Sequence, residues 1–439
     1  MTKPPGSKDE RRRLYSPASR RAHAHESAHE VELAPATDVP RGPMIPQGPA
    51  PLIATNDALG ELVAHLRSAG SFAYDSEFIG ELTYIPKLCV LQAATTERVA
   101  LIDPLVPGLN LRPFWELLTD ASVEKVVHAG QQDVEPVIRH TGRPPANVFD
   151  TQIAAGFAGM VYPTSLSKLV QELVGARLGK GLTFTHWDQR PLSASQLRYA
   201  ADDVRYLPAA RAALRARLEK LGHVDWAREE FEALCDPAQY GFDPKTYYLK
   251  VRGATSLAPQ GMAILRELTI WRDGAARAHD VPARSLVKDE VLVDLSRQPV
   301  KSVEKLDRVR GLPRPVEHAH GAEIVEATVR ALAMPTETFP QPRHIEPSPS
   351  ERFGADGLWA AAQCLCIGQS VDPGLATSRQ EVGELYRHIA AKPGQPEPEL
   401  RLLRGWRRRV VVEPLTAMMR GEGELTLNWD EDGLRARHA

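Results

Sequence analysis

Short β-rich runs alternate with helical patterns between residues 51 and 250, and this alternation constrains the fold more than any other feature of the sequence. An amphipathic helix is predicted to begin at Thr55 or Asn56. The β-rich runs that follow, at 71–78, 87–94 and 98–103, are typical of an antiparallel meander. Further helices are predicted at 111–118 and 131–140, and further strands at 125–128 and 147–149. The predicted fold class is therefore α/β, a mixed sheet flanked by helices.

The patterns become more helical toward the carboxyl terminus. One long helix is predicted from Ser193 toward Leu218, because Ser193 and Gln196 have capping-box spacing, and Pro208 marks a place for a kink. After about residue 257 the patterns are entirely helical, in two blocks separated by a proline-rich stretch. In chain order we predict a disordered basic and proline-rich tail (1–50), the α/β domain (51–250), a helical domain (257–335), a linker (336–351), a second helical domain (352–421) and a C-terminal tail (422–439).

Composition excludes several classes of protein. A chain of 439 residues has room for about three domains of roughly 150 residues each. Its 54 Lys and Arg residues balance 56 Asp and Glu residues, so any site for a polyanion must be local. Four cysteines without a CxxC pair predict neither a disulfide scaffold nor a structural zinc site. No apolar run reaches the roughly 18 residues that span a bilayer, so we expect a cytoplasmic protein without a membrane partner.

Acidic residues stand where an α/β sheet would bring them together. Asp75 and Glu77 point to one face of a predicted strand, because strand side chains alternate. Asp133 opens a helix just after another strand, and Tyr199 and Asp203 lie one turn apart on a helix. Each acid alone is more typical of a solvated surface. Together they predict a divalent metal site, since clustered carboxylates repel one another unless a cation neutralises them.

These motifs, in this order, resemble the DEDD superfamily of 3′→5′ exonucleases, in the subclass whose third motif carries a tyrosine. FAYDSEF is similar to the first motif, KVVHAGQQDVEPV to the second and LRYAADDVRYL to the third. GKGLTFTHWDQRPLSASQL resembles the approach to the third motif in the ribonuclease D family. The helical domain at 257–335 resembles the HRDC domain, and the block at 352–421 resembles a second one. The resemblance implies a ribonuclease H-like exonuclease core followed by all-α HRDC-like domains.

The resemblance also implies roles for individual residues. The catalytic set would be Asp75, Glu77, Asp133, Tyr199 and Asp203. The four acids would hold two divalent metal ions, Mg²⁺ or Mn²⁺, and Tyr199 would orient the attacking water. Ser76 stands where the family often has Thr, and we expect its side chain to point away from the metals with little effect.

Substrate contacts follow from the same resemblance. The residues implied are Phe78, Ile79, His128, Lys180, Trp187 and Arg190. Core packing is the alternative for Phe78 and Ile79, and a plain surface charge is the alternative for Lys180 and Arg190. A second basic and aromatic surface is formed by Trp406 with the arginines of 401–409, although salt bridges to Glu397 and Glu399 would explain it equally.

The expected function is that of a metal-dependent 3′→5′ exoribonuclease. Its partner would be RNA with a single-stranded 3′ end, in the maturation of tRNA precursors and other small stable RNAs, with nucleoside 5′-monophosphates released by hydrolysis. A DNA exonuclease of the same superfamily is one alternative, which HRDC-like blocks without helicase motifs disfavour. A catalytically silent RNA-binding protein is another, which the complete set of acids disfavours. The oligomeric state is open, with a monomer favoured.

Overall fold

The computed structural model describes residues 39, 41–42, 44–179, 186–340, 348–391, 397–430 and 433–438. By its internal contacts the chain divides into two compact units. One contains residues 78–88 and 241–346, and the other contains residues 33–77, 89–240 and 347–439. Each unit is therefore assembled from segments that lie far apart in the sequence.

A six-stranded mixed sheet organises residues 51–150, in the order β1-β4-β3-β2-β5-β6. The strands are β1 (Leu52–Ile53), β2 (Ser71–Ile79), β3 (Lys87–Ala94), β4 (Val99–Ile102), β5 (Glu124–Val127) and β6 (Val148–Asp150). Strands β3 and β4 are antiparallel, whereas β1 and β4, β2 and β5, and β5 and β6 are parallel. The predicted mixed α/β class is confirmed. Strand β1 was not predicted, because two residues are too few to show a period.

Helices between residues 56 and 240 pack around this sheet. They are α1 (Asn56–Ala69), α2 (Arg112–Leu118), α3 (Gln131–Thr141), α4 (Thr151–Phe157), α5 (Leu166–Val174), α6 (Ala194–Arg205), α7 (Leu207–Leu221), α8 (Val224–Leu234) and the 3₁₀ turn Pro237–Gln239. The capping box of Ser193 and Gln196 is present at the start of α6. The prediction of one long helix is wrong, because the helix is interrupted at Tyr206 and a second helix begins at Leu207. Pro208 lies in the first turn of α7, where its missing N–H is tolerated.

One apolar cluster joins the sheet to α6. It includes Ala73 of β2, Val126 of β5, and Ala201 and Val204 of α6. Because side chains two residues apart on a strand share a face, the face of β2 that α6 covers also carries Asp75 and Glu77. The packing of small and β-branched side chains therefore places α6 over the predicted acidic motif.

The unit containing residues 241–346 is all-helical, as predicted. Its helices are α9 (Pro259–His279), α10 (Ala283–Leu286), α11 (Asp289–Arg297) and α12 (Arg314–Leu332), with 3₁₀ turns at Tyr247–Lys250, Ala254–Ser256, Val303–Arg308 and Thr336–Thr338. Its core includes Leu265, Leu268, Leu292 and Ile324, all fully buried. Among the residues that the structure describes, no helix has the length and apolar character needed to cross a membrane.

The C-terminal block belongs to the same unit as the sheet. It contains α13 (Pro349–Gly368), α14 (Pro373–Ala376), α15 (Arg379–Ala390), the 3₁₀ turn Arg401–Leu403, α16 (Gly405–Arg407), the π-helical segment Arg408–Val412, α17 (Glu413–Arg420), β7 (Leu425–Asp430) and β8 (Gly433–His438). Strands β7 and β8 form an antiparallel hairpin. The segment that the sequence analysis left as a C-terminal tail from residue 422 therefore contains a hairpin that was not predicted. The alternation of Leu425, Leu427 and Trp429 is a period-two signal that could have predicted β7.

The end of the predicted N-terminal tail is also ordered. Ile45 is 7% exposed and packs with Val170 and Tyr206 in a small apolar cluster. The guanidinium of Arg205 donates hydrogen bonds to the backbone oxygens of Pro46, at 2.5 Å, and Gly48, at 3.3 Å. This segment is held by one apolar side chain and two backbone oxygens, and such contacts leave no periodic pattern in the sequence. The prediction of disorder up to residue 50 therefore fails for this segment. Residues 1–38, 40 and 43 lie outside the described residues, so the prediction of disorder is not tested there.

Candidate active site

Three carboxylates converge on the face of β2 that α6 covers. Asp75 and Glu77 project from β2, and Asp203 projects from α6. One ligand atom from each of these side chains lies within 4.8 Å of the other two. Within the described ranges, no other group of three or more Asp, Glu, His or Cys side chains is arranged in this way. Three of the four acids predicted from the sequence therefore lie close together, and their role as metal ligands stays a prediction.

The fourth predicted acid, Asp133, approaches β2 from its other face. It lies in the first turn of α3 and is 8% exposed. Its backbone oxygen accepts a hydrogen bond from the Tyr74 hydroxyl at 3.0 Å, and its carboxylate accepts a short hydrogen bond from the Ser76 hydroxyl. The expectation that serine in place of threonine has little effect here stays a prediction, since either side chain offers a hydroxyl to Asp133. Ser76 does face away from Asp75 and Glu77, but α3 brings Asp133 to that face.

Asp150, which the sequence analysis missed, holds the turn that leads into α3. Its carboxylate accepts hydrogen bonds from the backbone N–H groups of Ala129, at 3.2 Å, and Gly130, at 2.9 Å. It also caps α4 through the N–H groups of Gln152 and Ile153. A Cβ atom at Gly130 would come within 2.4 Å of Val127, so this turn requires glycine. No helix was predicted directly after residue 150, so there was no reason to consider Asp150 as a helix cap.

Burial and mutual repulsion raise the pKa values of the acids. Loss of solvation is the largest cause throughout, and the charges of neighbouring carboxylates add to it. At Asp133, hydrogen bonding with Ser76 and Asp75 lowers the pKa and partly offsets the effect of burial. The pKa is raised to about 8 for Glu77, to about 7 for Asp203 and to about 6 for Asp133, and that of Asp75 is raised well above its usual value. Carboxylates with such raised pKa values are suited to binding a divalent cation. The cation would favour their charged forms, and it prefers oxygen ligands.

Tyr199 lies one turn before Asp203 on α6 and is half-buried. Burial, followed by the charges of Asp203, Glu77 and Asp75, raises the pKa of its phenol, and its hydroxyl shares a hydrogen bond with Asp203. Trp187 is 4% exposed, and its ring centre lies 6.1 Å from that of Tyr199. Trp187 is therefore placed to position Tyr199. Its burial leaves little ring surface for the stacking contact that was predicted.

Arg190 is engaged within the protein. Its guanidinium forms a bidentate pair with Asp103, with both N···O distances at 2.6 Å. It also donates to the backbone oxygens of Trp187 and Cys89, each at 2.7 Å. The sequence suggested two alternatives for Arg190, a phosphate contact and a plain surface charge. This arrangement fits neither of them. Arg190 ties the chain around Trp187 to strand β3, and a phosphate contact stays a prediction without geometric support.

The remaining predicted substrate residues differ in placement. Both ring nitrogens of His128 have partners, Thr151 Oγ1 at 2.9 Å and the Thr164 backbone oxygen at 3.1 Å, and burial lowers its pKa. Its ring is therefore held by the protein. Phe78 is half-buried and Ile79 is 8% exposed at the end of β2, in line with core packing for Ile79. Lys180 lies outside the described residues.

The second basic and aromatic surface predicted around Trp406 is largely internal. Trp406 is fully buried, its indole N–H donates to Glu230 at 2.8 Å, and its ring centre lies 4.8 Å from that of Phe157. Arg407 is 4% exposed and paired with Glu230. Three of the four outer arginines are paired as well: Arg401 with Glu381, Arg408 with Glu397 and Arg409 with Glu229. Salt bridges therefore describe this region better than an open basic surface, although of the two predicted partners only Glu397 forms one of these pairs.

Comparison with known proteins agrees with the site and the fold. A family model described as a 3′-5′ exonuclease matches residues 51–219, and the HRDC domain model matches residues 262–328. These matches define a 3′→5′ exonuclease domain joined to an HRDC domain.

Individual relatives narrow the class further. The chain is 36% identical over 373 residues to ribonuclease D of Gluconacetobacter diazotrophicus, covering 84% of this chain and 93% of that one. It is 35% identical to ribonuclease D of Granulibacter bethesdensis, covering 85% and 94%. The crystal structure of Escherichia coli RNase D, described as an exoribonuclease involved in structured RNA processing, matches with a TM-score of 0.73 and 29% identity over 85% of this chain and 99% of that chain. The chain belongs to the ribonuclease D family of 3′→5′ exoribonucleases.

Proposed function

We propose that this chain hydrolyses phosphodiester bonds one nucleotide at a time from the single-stranded 3′ end of structured RNAs, tRNA precursors among them, and releases nucleoside 5′-monophosphates. The observation that carries the proposal is the convergence of Asp75, Glu77 and Asp203 within 4.8 Å on one sheet face. The likeness to an RNase D that processes structured RNA supports the substrate class. We further propose that the chain acts as a monomer in the cytoplasm.

Asp75, Glu77 and Asp203 would hold two divalent ions, Mg²⁺ or Mn²⁺, with Asp133 as the fourth acid. Such ions, when bound, stabilise charge on the attacking and leaving oxygens of phosphoryl transfer and lower the pKa of bound water. Asp203 accepts a hydrogen bond from Tyr199, which keeps the phenol at the cluster. Tyr199 lies one turn before Asp203 on α6, where its hydroxyl would orient the attacking water.

The supporting residues fix this geometry before substrate arrives. Ser76 and Tyr74 hold Asp133 from both its carboxylate and its backbone oxygen. The Arg190–Asp103 pair holds the chain around Trp187, which packs against Tyr199. Preorganised positions of this kind avoid reorganisation during the reaction.

Digestion of 5′-labelled single-stranded RNA and matched DNA, with Mg²⁺, Mn²⁺ or EDTA, tests the proposal. We expect a metal-dependent ladder that shortens from the 3′ end of RNA. Asp203→Asn should lower the rate about 100-fold or more, since even outer partners of a metal site are commonly worth 10- to 100-fold.

The matched control is Glu172→Gln, because Glu172 is exposed, pairs with Arg217 and lies outside the three-acid cluster. This variant should retain activity. Faster loss of DNA than RNA would favour a DNA exonuclease instead. RNA binding without cleavage under either metal would contradict an enzymatic function.

A further inference from the structure

The segment that follows the acidic motif of β2 groups with the HRDC helices. Residues 78–88, which we call the anchored loop, share a compact unit with residues 241–346. Between the end of β2 at Ile79 and the start of β3 at Lys87, the chain forms no helix or strand. A loop of this kind would have many conformations available unless a side chain fixed it.

Tyr84 supplies that fixation. Its hydroxyl donates a hydrogen bond to Asp273 Oδ1 at 2.6 Å, and its backbone N–H donates to Asp280 Oδ1 at 3.3 Å. The guanidinium of Arg277 lies 5.0 Å from the centre of the Tyr84 ring and donates to Asp273 at 2.7 Å. Burial and the bond to Asp273 raise the pKa of Tyr84 to about 12, so its hydroxyl remains a donor. Both acceptors and Arg277 belong to the last turns and the C-cap of α9.

The apolar side chains on either side of this anchor face solvent. Leu82 is 39% exposed and Ile85 is 45% exposed. A single exposed apolar side chain needs no explanation, but two on one fixed loop can contact a ligand together. The loop is also continuous with the strand that carries Asp75 and Glu77. Chain length alone keeps Leu82 within about 18 Å of Glu77, at roughly 3.5 Å per residue.

We propose that the anchored loop is a substrate-contacting element, in which Leu82 and Ile85 contact the bases of the unpaired 3′ end of the RNA. Tyr84 is the positioning residue that holds both side chains in place by fixing the loop to α9. The bases of a single strand expose apolar faces that such side chains can cover. The inference rests on the proposed exoribonuclease function and adds a contact site to it.

Steady-state kinetics on RNA with an unpaired 3′ end test the contact. The double variant Leu82→Ser/Ile85→Ser should raise KM about tenfold, which is one contact of about 1.4 kcal/mol, with kcat unchanged at saturating RNA. Leu221→Ser and Val329→Ser are matched controls, because those side chains are 38% and 45% exposed and lie outside the loop. The controls should keep the wild-type KM.

A second pair of variants tests the anchor. Tyr84→Ala should raise KM in the same direction as the double variant and speed hydrogen exchange of the loop amides. Tyr84→Phe keeps the ring beside Arg277 and loses only the bond to Asp273, so its effect should be smaller. Faster exchange in Tyr84→Ala with an unchanged KM would refute the positioning role.

The outcomes separate this inference from the proposed function. If the wild-type chain degrades RNA from its 3′ end and the double variant has the KM of its controls, the contact is refuted while the function stands. If the wild-type chain degrades no RNA, the proposed function itself fails. A tenfold rise in KM confined to the loop variants would support the contact.

Discussion

Ser76 lies between two acids in sequence and contacts a third in the structure. Its hydroxyl donates to Asp133, which comes from the helix after β5. Strand alternation correctly predicts that Ser76 faces away from Asp75 and Glu77. It cannot predict which helix packs on that face, because this depends on contacts between distant parts of the chain. Residue types and spacing were thus sufficient to predict that Asp75, Glu77 and Asp203 lie together, and insufficient to predict which side chain contacts Asp133.

Removal of the Ser76 hydroxyl should weaken the metal site without unfolding the protein. Ser76→Ala deprives Asp133 of a hydrogen-bond donor in a buried setting, and partners of this kind are typically worth 10- to 100-fold in metal affinity or activity. The metal concentration for half-maximal activity should rise by about that factor. Ser76→Thr retains a hydroxyl and should behave as the wild type. Equal metal dependence in the Ala and Thr variants would show that the hydroxyl is dispensable.

Because of Lys125, we expect the unfolding free energy of the protein to vary with pH in the alkaline range. Its side chain is 1% exposed, its ammonium donates to the backbone oxygens of Asp120 and Val123, each at 2.7 Å, and burial lowers its pKa to about 8. An unfolded lysine has a pKa near 10.4, so between these two values the unfolded state binds more protons. The unfolding free energy should therefore rise with pH across that window, by about 3 kcal/mol in all.

Comparison with Lys125→Met isolates this contribution from tyrosines that titrate in the same range. The difference in unfolding free energy between wild type and variant, from urea titrations, should be constant below pH 8. Above pH 8 it should shift in favour of the wild type. A difference that stays constant up to pH 10.5 would mean that Lys125 titrates normally in the folded protein.

At the level of elements, periodic segments were predictable and interruptions were not. The helix at α1 and the strands β2 to β6 follow from their apolar periods. The break between α6 and α7 at Tyr206 does not, since a proline is compatible with a kink or with a new helix start. Tertiary contacts decide between the two. Arg205, the last residue of α6, holds the backbone near Pro46, which no local pattern contains.

Arg190 should contribute to stability rather than to RNA affinity. Arg190→Lys cannot reproduce the bidentate pair with Asp103, and we expect a loss of about 2 kcal/mol in unfolding free energy. RNA affinity and its dependence on salt should stay as in the wild type. Salt titrations of RNA binding check this directly. A shallower salt dependence in Arg190→Ala, by about one phosphate contact, would restore the phosphate role predicted from the sequence.

For the whole molecule, the C-terminal block is a structural part of the nuclease unit. Trp406 lies against Phe157 and Trp226, with ring centres 4.8 and 5.7 Å apart, and its indole N–H meets Glu230. The sequence showed this stretch as a cluster of arginines around a tryptophan, which is equally typical of a nucleic-acid surface. Composition alone cannot show that the acids of α8 lie opposite these arginines, because 177 residues separate Glu230 from Arg407.

Trp406→Ala should therefore destabilise the nuclease unit as a whole. Replacing a buried tryptophan by alanine typically costs about 3–5 kcal/mol. Hydrogen exchange should quicken in α4 and α8 as well as in the C-terminal block. Trp429→Ala is the matched control, because Trp429 is 73% exposed and its loss should leave exchange unchanged. Faster exchange restricted to residues after 347 would show that the block folds independently of the sheet.

Residues 241–346 separate two parts of the nuclease unit in the sequence, so the ribosome synthesises these two parts at different times. Phe157, His223 and Trp226 emerge long before Trp406, the side chain that completes their cluster. At roughly 5–20 residues per second, the intervening chain takes on the order of ten seconds or more to synthesise. During that interval the nascent nuclease core exposes an aromatic surface awaiting its partner. Completion of the nuclease unit is thereby deferred until the segment around Trp406 has been synthesised, and termination before that segment would leave the aromatic surface open to chaperones and proteases.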